Sequence, residues 1–182
     1  QVSMTAADAV MLYSDGTGLT KVGTGVGIAA VKGPNSRGDV VFGDETGIIF
    51  HSADGNRHLM SLTPQYGLYG YVTDLNDAGV VAGGTVLNMV AWVPALLAAD
   101  GAPPTTSPLR HVSGLNNRGD MLGVTADRGP MVRWADGRLT GLPGYGRDLN
   151  ESGTIIGLYS DVYRQFPWVM DATGWSSLDA LV

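Results

Sequence analysis

The stretch Leu115-Asn116-Asn117-Arg118-Gly119-Asp120-Met121-Leu122-Gly123, followed by Pro130-Met131-Val132-Arg133-Trp134-Ala135-Asp136-Gly137-Arg138-Leu139, decides the fold class. In Asn-x-x-Gly, the Asn side chain accepts from the backbone two residues on, and the Gly tolerates a left-handed conformation. Asp-Gly between two β-rich runs supplies the positive φ that a hairpin turn needs. The stretch therefore reads as a turn, a short apolar strand, an aromatic strand, a hairpin and a return strand.

The same order recurs along the chain, and a period of this size indicates a repeat architecture. Asn35-Ser36-Arg37-Gly38, Asn76-Asp77-Ala78-Gly79 and Asn150-Glu151-Ser152-Gly153 are the other turns, and a short apolar run closed by Gly follows each. Leu precedes the Asn in three copies (Leu75, Leu115, Leu149), and the starts lie 41, 40 and 34 residues apart. A second signal interleaves with the first. Val10-Met11-Leu12-Tyr13, Ile48-Ile49-Phe50, Val90-Ala91-Trp92-Val93, Met131-Val132-Arg133-Trp134 and Phe166-Pro167-Trp168-Val169-Met170 each run into a Gly-containing turn. A segment led by Leu19, Leu59, Leu109, Leu139 or Trp175 then returns.

Four short strands in about 35 to 45 residues is the size of one propeller blade. The expectation is an all-β chain forming a small β-propeller of about five four-stranded blades, with an open arc or β-solenoid of the same repeats as the competing form. It is read as a single repeat domain over 1–182, in approximate units 1–33, 34–74, 75–114, 115–148 and 149–182. Val2-Ser3-Met4-Thr5 serves as a first strand in this reading, and a closed ring would pair elements from both termini. An open arc would leave edges that invite self-association.

Composition agrees with this. Of 182 residues, 44% are hydrophobic and 15% charged, and the 27 glycines imply many tight turns between short elements. The longest helix-like stretch, Ala95 to Ala99, makes little more than one turn before Asp100-Gly101 ends it. Net charge is −6, and the 11 Lys and Arg form no run, so a nucleic-acid partner is not expected. No run of apolar residues is long enough for a transmembrane helix, so membrane insertion is not expected either. With no cysteine, disulfides, thiol catalysis and Cys-ligated zinc are excluded. The chain opens at Gln1 without a signal-peptide pattern, as a mature form or an excised domain does.

Leu-Asn-(Asp/Asn/Glu)-x-Gly, an apolar run closed by Gly, an aromatic strand ending in Trp, then Asp-Gly and Leu: this order resembles the HAF-type extracellular repeat over nearly the whole chain. The best copy is the stretch quoted first. The sequence departs from that pattern where Met89-Val90-Ala91, Pro130-Met131-Val132 and Gln165-Phe166-Pro167 stand in place of the His-Ala-Phe triplet. The resemblance implies a secreted or surface-exposed β-repeat domain, extracellular or on a cell or virion surface, of bacteria or their viruses. It implies no particular reaction.

The candidate binding residues are loop aromatics and their neighbours. Gln65-Tyr66-Gly67-Leu68-Tyr69-Gly70-Tyr71 and Pro143-Gly144-Tyr145-Gly146-Arg147 occupy the same place in their repeats, and tyrosine on Gly-rich loops offers amphipathic contact area at low entropic cost. Tyr66, Tyr69, Tyr71, Tyr145, Arg147, Tyr163 and the off-register Trp175 are therefore expected to contact a polysaccharide or a partner protein. Trp92, Trp134, Trp168 and Phe50 fall at one equivalent place per repeat and are read as packing residues.

Catalytic residues are not assigned. His51, His58 and His111 fall at non-equivalent positions, and no nucleophile elbow, zinc-protease or phosphate-loop motif is present. A lyase or glycoside hydrolase on a propeller is the runner-up. In the lyase, Tyr would act as acid and Arg would neutralise a uronate, with His111, Tyr71 and Arg147 as the residues. A structural part of a virion or surface assembly is the third reading. No cofactor or metal is expected. Asp148-x-Asn150-x-Ser152-Gly153 resembles the start of a calcium loop and Asp74-x-Asn76-x-Ala78-Gly79 echoes it, but the twelfth positions are Tyr159 and Thr85 rather than an acid.

Overall fold

The computed structural model describes residues 2–5, 9–14, 18–24, 30–62, 68–87, 91–102, 105–127, 129–161 and 164–178. They form an all-β structure of small antiparallel sheets, with no α-helix among them. The chain divides into two compact units, Gln1–Ser107 and Pro108–Val182.

The first unit holds three sheets. β1 (Val2–Thr5), β2 (Ala9–Ser14) and β3 (Gly18–Thr24) form the first. β4 (Ala30–Lys32), β5 (Val40–Asp44), β6 (Gly47–Ser52) and β7 (Gly55–Ser61) form the second. The third is β8 (Leu68–Leu75), β9 (Val80–Leu87), β10 (Ala91–Ala98) and β11 (Thr105–Thr106). In the second unit, β12 (His111–Leu115), β13 (Met121–Thr125), β14 (Gly129–Arg133) and β15 (Leu139–Gly141) make one sheet. β16 (Tyr145–Leu149), β17 (Ile155–Ser160), β18 (Gln165–Asp171) and β19 (Gly174–Ser177) make the other. Every sheet is a meander in chain order, so each strand pairs with its sequence neighbour.

The Asn-x-x-Gly turns are hairpins within a sheet. In all four, the Asn N–H donates to the carbonyl four residues on, and the Gly N–H donates back to the Asn carbonyl. Asn116 Oδ1 accepts from the Arg118 and Asp120 N–H groups at 3.1 and 2.9 Å, and Asn150 Oδ1 does the same for Ser152 and Thr154. The Gly φ values of 83°, 80°, 88° and 85° lie in the left-handed region, where a side chain would be strained. Each of these four sheets therefore begins one strand earlier than the motif spacing suggests: the short strand leading into the Asn pairs across the turn with the strand that follows.

Within each unit the core lies between successive sheets. β5 is buried along its whole length, and its residues alternate between two clusters. Val40 and Phe42 pack with Val22 and Ile49, whereas Val41 packs with Ile48, Phe50, Val72, Leu75, Val81, Ala95 and Leu97. That is the period of two expected of a strand covered on both faces. In the second unit, Leu122, Val132, Leu149, Ile155, Trp168 and Met170 form the cluster. Ala95 to Ala98, which resembled a helical turn in sequence, is the end of β10, because Ala95 and Leu97 point into the first unit's core.

The aromatic strand residues do not share one position. Phe50 lies opposite Val41, Trp168 opposite Gly157 and Trp92 opposite Val86, while Trp134 follows the end of β14. The aromatic strands differ in length and in distance from their turns, so alignment on the aromatic residue misplaces the register. Phe50 and Trp168 are core residues, Trp134 is half-buried, and the Trp92 side chain lies outside the described residues.

Candidate functional site

The position five residues before each turn Asn is the key to the site. It holds Ala30, Tyr71, His111 and Tyr145. In the register, Tyr71, His111 and Tyr145 are each neighbours of the residue that faces the run-closing Gly: Gly83, Gly123 and Gly157. A Cβ on any of those three glycines would collide with the carbonyl oxygen of Tyr71, His111 or Tyr145 respectively. The closing Gly thus lets the first strand lie tight against the second.

In the second unit this brings His111 and Ser113 of β12 beside Tyr145 and Arg147 of β16, in a cleft of about 410 Å³ that Gly123, Val124 and Gly146 complete. Tyr145 is 65% exposed and Arg147 is also exposed, and both residues line the cleft. His111 is half-buried, and that burial lowers its pKa from the ordinary histidine value, leaving the imidazole neutral at neutral pH. Behind Tyr145 the floor is fixed. A methyl on Gly157 would strike the Trp168 ring as well as the Tyr145 carbonyl, and Trp168 is fully buried.

The corresponding place in the first unit is closed. Gly43 and Gly70 are in backbone contact there: a Cβ on Gly43 would overlap the Gly70 carbonyl, and one on Gly70 would overlap the Gly47 carbonyl. β8 therefore lies against β5 and β6 on its Gly70 and Val72 face; Tyr71, which alternates to the other face, is only 6% exposed. Val124 takes the register place of Gly43, each lying opposite the residue five before the Asn: Val124 faces His111 and Gly43 faces Ala30. The Val124 side chain lines the cleft rather than permitting backbone contact.

Of the expected contact residues, Tyr145 and Arg147 come together, on a strand rather than a loop. Tyr71 is corrected: it is buried within β8, where its pKa is raised by that burial, and it offers no surface to a partner. Tyr69 belongs to β8 and pairs with Val86, but its side chain lies outside the described residues. Tyr66 and Tyr163 lie outside the described residues altogether. Trp175 is 54% exposed on β19, with an edge contact to Tyr159 at 6.5 Å; Tyr159 stacks on Phe166 at 4.9 Å. It is not among the residues lining the cleft. His111 and Arg147 line the same cleft, with Tyr145 and without Tyr71. Ser113 was missed, although its place three before the Asn matches that of Arg147.

The polar atoms of the Asp-Leu-Asn turns are already engaged. Asp74 and Asp148 each accept from the N–H of the following Leu, at 2.9 and 2.8 Å, and Asn150 Oδ1 serves its own turn. Among the described residues, no group of three His, Asp or Glu side chains is placed to hold a metal ion. No helix among them is long and apolar enough to cross a membrane.

No protein-family model, no curated protein and no solved structure matches this chain.

Proposed function

We propose that this chain is a non-catalytic, surface-exposed repeat domain that binds carbohydrate bearing carboxylates, and that its sheets are the blades of a small β-propeller of about five blades. The observation that carries the reading is the grouping of Tyr145, Arg147, His111 and Ser113 in one open cleft. A guanidinium pairs with a carboxylate through two parallel hydrogen bonds, which makes Arg147 the natural partner of a uronate. An exposed phenol offers a flat apolar face to a pyranose ring and a hydroxyl to its rim. Five successive meanders, with cores between neighbouring sheets inside each unit, support the propeller, and the HAF-type resemblance supports an extracellular or surface location.

The net charge of −6 opposes long-range attraction of a polyanion. Recognition must then be local, at a single uronate seated on Arg147, and short acidic oligosaccharides should suffice. Calorimetric titration with an oligouronate tests this. Saturable binding that Arg147→Ala removes is the expected result, and equal affinity for a neutral oligosaccharide would refute it.

One observation favours a second reading, a polysaccharide lyase: His111, Tyr145 and Arg147 line the same cleft. Arg147 would neutralise the uronate carboxylate and His111 would take the C5 proton. As the C4–O4 bond breaks and a C4=C5 double bond forms, Tyr145 would give its proton to the leaving oxygen. Ultraviolet absorbance of new unsaturated ends would establish this reading and displace the first.

A further inference from the structure

Within each unit, the Asn-x-x-Gly turns of successive sheets are joined by the same latch. Asn35 Nδ2 donates to the Asn76 carbonyl at 3.1 Å, and Asn116 Nδ2 donates to the Asn150 carbonyl at 3.1 Å. The residue after the Asn adds a second bond. The Ser36 N–H donates to Asp77 Oδ1 at 2.7 Å, and the Asn117 N–H donates to Glu151 Oε2 at 2.9 Å. Each latch has its donor half on the earlier sheet and its acceptor half on the later one.

The strand after each turn divides its side chains in the same sense. The fifth residue beyond the Asn faces the preceding sheet: Val40 clusters with Val22, Val81 with Val41, and Ile155 with Leu122. The sixth faces the following sheet, as Val41 and Leu122 do in those clusters. Val41, Ala82 and Leu122 are each 0% exposed, whereas Ile156, at that place in the last sheet, is 47% exposed. Phe50 and Val132, opposite Val41 and Leu122, are core residues, while Val169, opposite Ile156, is only half-buried. The latch is open on the same sheet. Neither Asn150 Nδ2 nor the Glu151 N–H has a partner among the described residues.

We propose that the Ile156 and Val169 face of the β16–β19 sheet is a docking surface for one further sheet of this repeat, borne by a partner outside these residues. The Asn carbonyl of that sheet's turn would accept from Asn150 Nδ2. An oxygen-bearing side chain after that Asn would accept from the Glu151 N–H, as Asp77 and Glu151 accept in the two latches. A repeat that ends an array carries a polar outer face. Ile opposite Val is the reverse of that.

The chain's own sheets do not fit this place. The first Asn in the sequence is Asn35, so the β1–β3 sheet has no turn with which to complete the latch. In the four turn-bearing sheets, the residues that face backwards, Val40, Val81, Met121 and Ile155, are at most 1% exposed. A second copy therefore has no open turn-bearing face to offer. Neither Ile156 nor Asn150 lines the cleft, so the proposal extends the reading of the sheets as blades and is independent of the cleft's ligand.

The test appends a second copy of Tyr145–Val182 after Val182 and compares the intact and extended chains by amide hydrogen exchange and denaturant titration. The original Glu151 amide should exchange at least about tenfold more slowly in the extended chain. Asn150→Asp keeps the oxygen that serves the turn and removes the Nδ2 donor, so it should abolish that slowing. Ile156→Thr should leave the denaturation midpoint of the intact chain unchanged and lower that of the extended chain. The same change in the appended copy should have no effect. A second extended chain, carrying Leu68–Ser107 instead, covers the case of an appended repeat that does not fold.

Unslowed Glu151 exchange in both extended chains would overturn the proposal. A slow Glu151 amide together with a costly Ile156→Thr in the intact chain would overturn it too. Sedimentation then separates the causes: a monomer means that the first sheet covers the face, which keeps the propeller reading, and a concentration-dependent oligomer means a second copy. Tyr145 lies opposite Leu158 on this sheet, so oligouronate affinity is measured in both chains. Its loss in the extended chain, with Glu151 slowed, would sink the cleft reading and keep the docking surface.

Discussion

Tyr71 and Tyr145 occupy one register position in two sheets, and one is buried while the other stands open. The difference is not in the tyrosine. In the first unit the neighbouring sheet comes to backbone contact with β8 through Gly43, Gly47 and Gly70. In the second, Val124 replaces the approaching Gly and a cleft remains. Beneath the two strands the filling differs as well: Trp168 lies opposite Gly157, whereas Ala95 lies opposite Gly83, with Ile48 reaching in. The repeat fixes where strands turn and pair, and the size of a few packing residues decides whether the common position becomes core or site.

The strongest test of this contrast is the floor. Trp168→Ala should cost about 3–5 kcal/mol of unfolding free energy in a denaturant titration, while Ala95→Gly should cost about 1. Equal losses would mean the two positions do the same work. Trp168→Ala should also weaken oligouronate binding, since the ring backs the strand that carries Tyr145.

The close approach of β8 comes next. Gly43→Val places a branched side chain against a backbone carbonyl and should destabilise by about 1–3 kcal/mol. Protection of the β8 amides in hydrogen exchange should fall with it. A Gly43→Val protein as stable as the parent would show that the close approach of β8 to β5 is not required.

Asp120 carries a smaller, pH-dependent effect. Burial by itself would raise its pKa, but hydrogen bonds from Asn116, Arg118 and the Ala135 N–H, with the charge of Arg118, outweigh it and hold the carboxyl below the usual range. Because the folded value is depressed, its stabilisation is present above the ordinary Asp range and disappears as pH falls through the folded value. The slope of stability against pH below about 4 should flatten in Asp120→Asn.

Smallest in stability are Tyr145→Ala and Arg147→Ala, both at exposed positions. Each should shift unfolding by less than about 0.5 kcal/mol while lowering affinity for the acidic oligosaccharide. A large stability loss from either would show a packing residue rather than a contact residue.

Much of the architecture was legible in the chain because turn chemistry is local. An Asn that serves its own backbone and a Gly at positive φ are readable without knowledge of any neighbour. The site was half legible. The repeated spacing to the Asn marks Ala30, Tyr71, His111 and Tyr145 as equivalents, yet the abundant glycine around Tyr69 and Tyr145 reads as loop. In the fold that glycine serves close packing of strands, as Gly43, Gly70, Gly144 and Gly157 show through the backbone or rings they meet. Burial was not legible, because turn chemistry and spacing do not say which side chains are covered by residues distant in sequence. Alignment on the tryptophans failed for a related reason: strand lengths vary between copies, so the aromatic residue does not mark the register.

The most direct test is a titration of the intact chain with an oligouronate, followed by amide and Tyr145 ring signals in NMR, with the same samples assayed for new unsaturated and reducing ends. The account predicts saturable shifts at His111, Ser113, Tyr145 and Arg147, lost in Arg147→Ala, with no new ends formed. Shifts confined to other surfaces, or depolymerisation of the ligand, would contradict it.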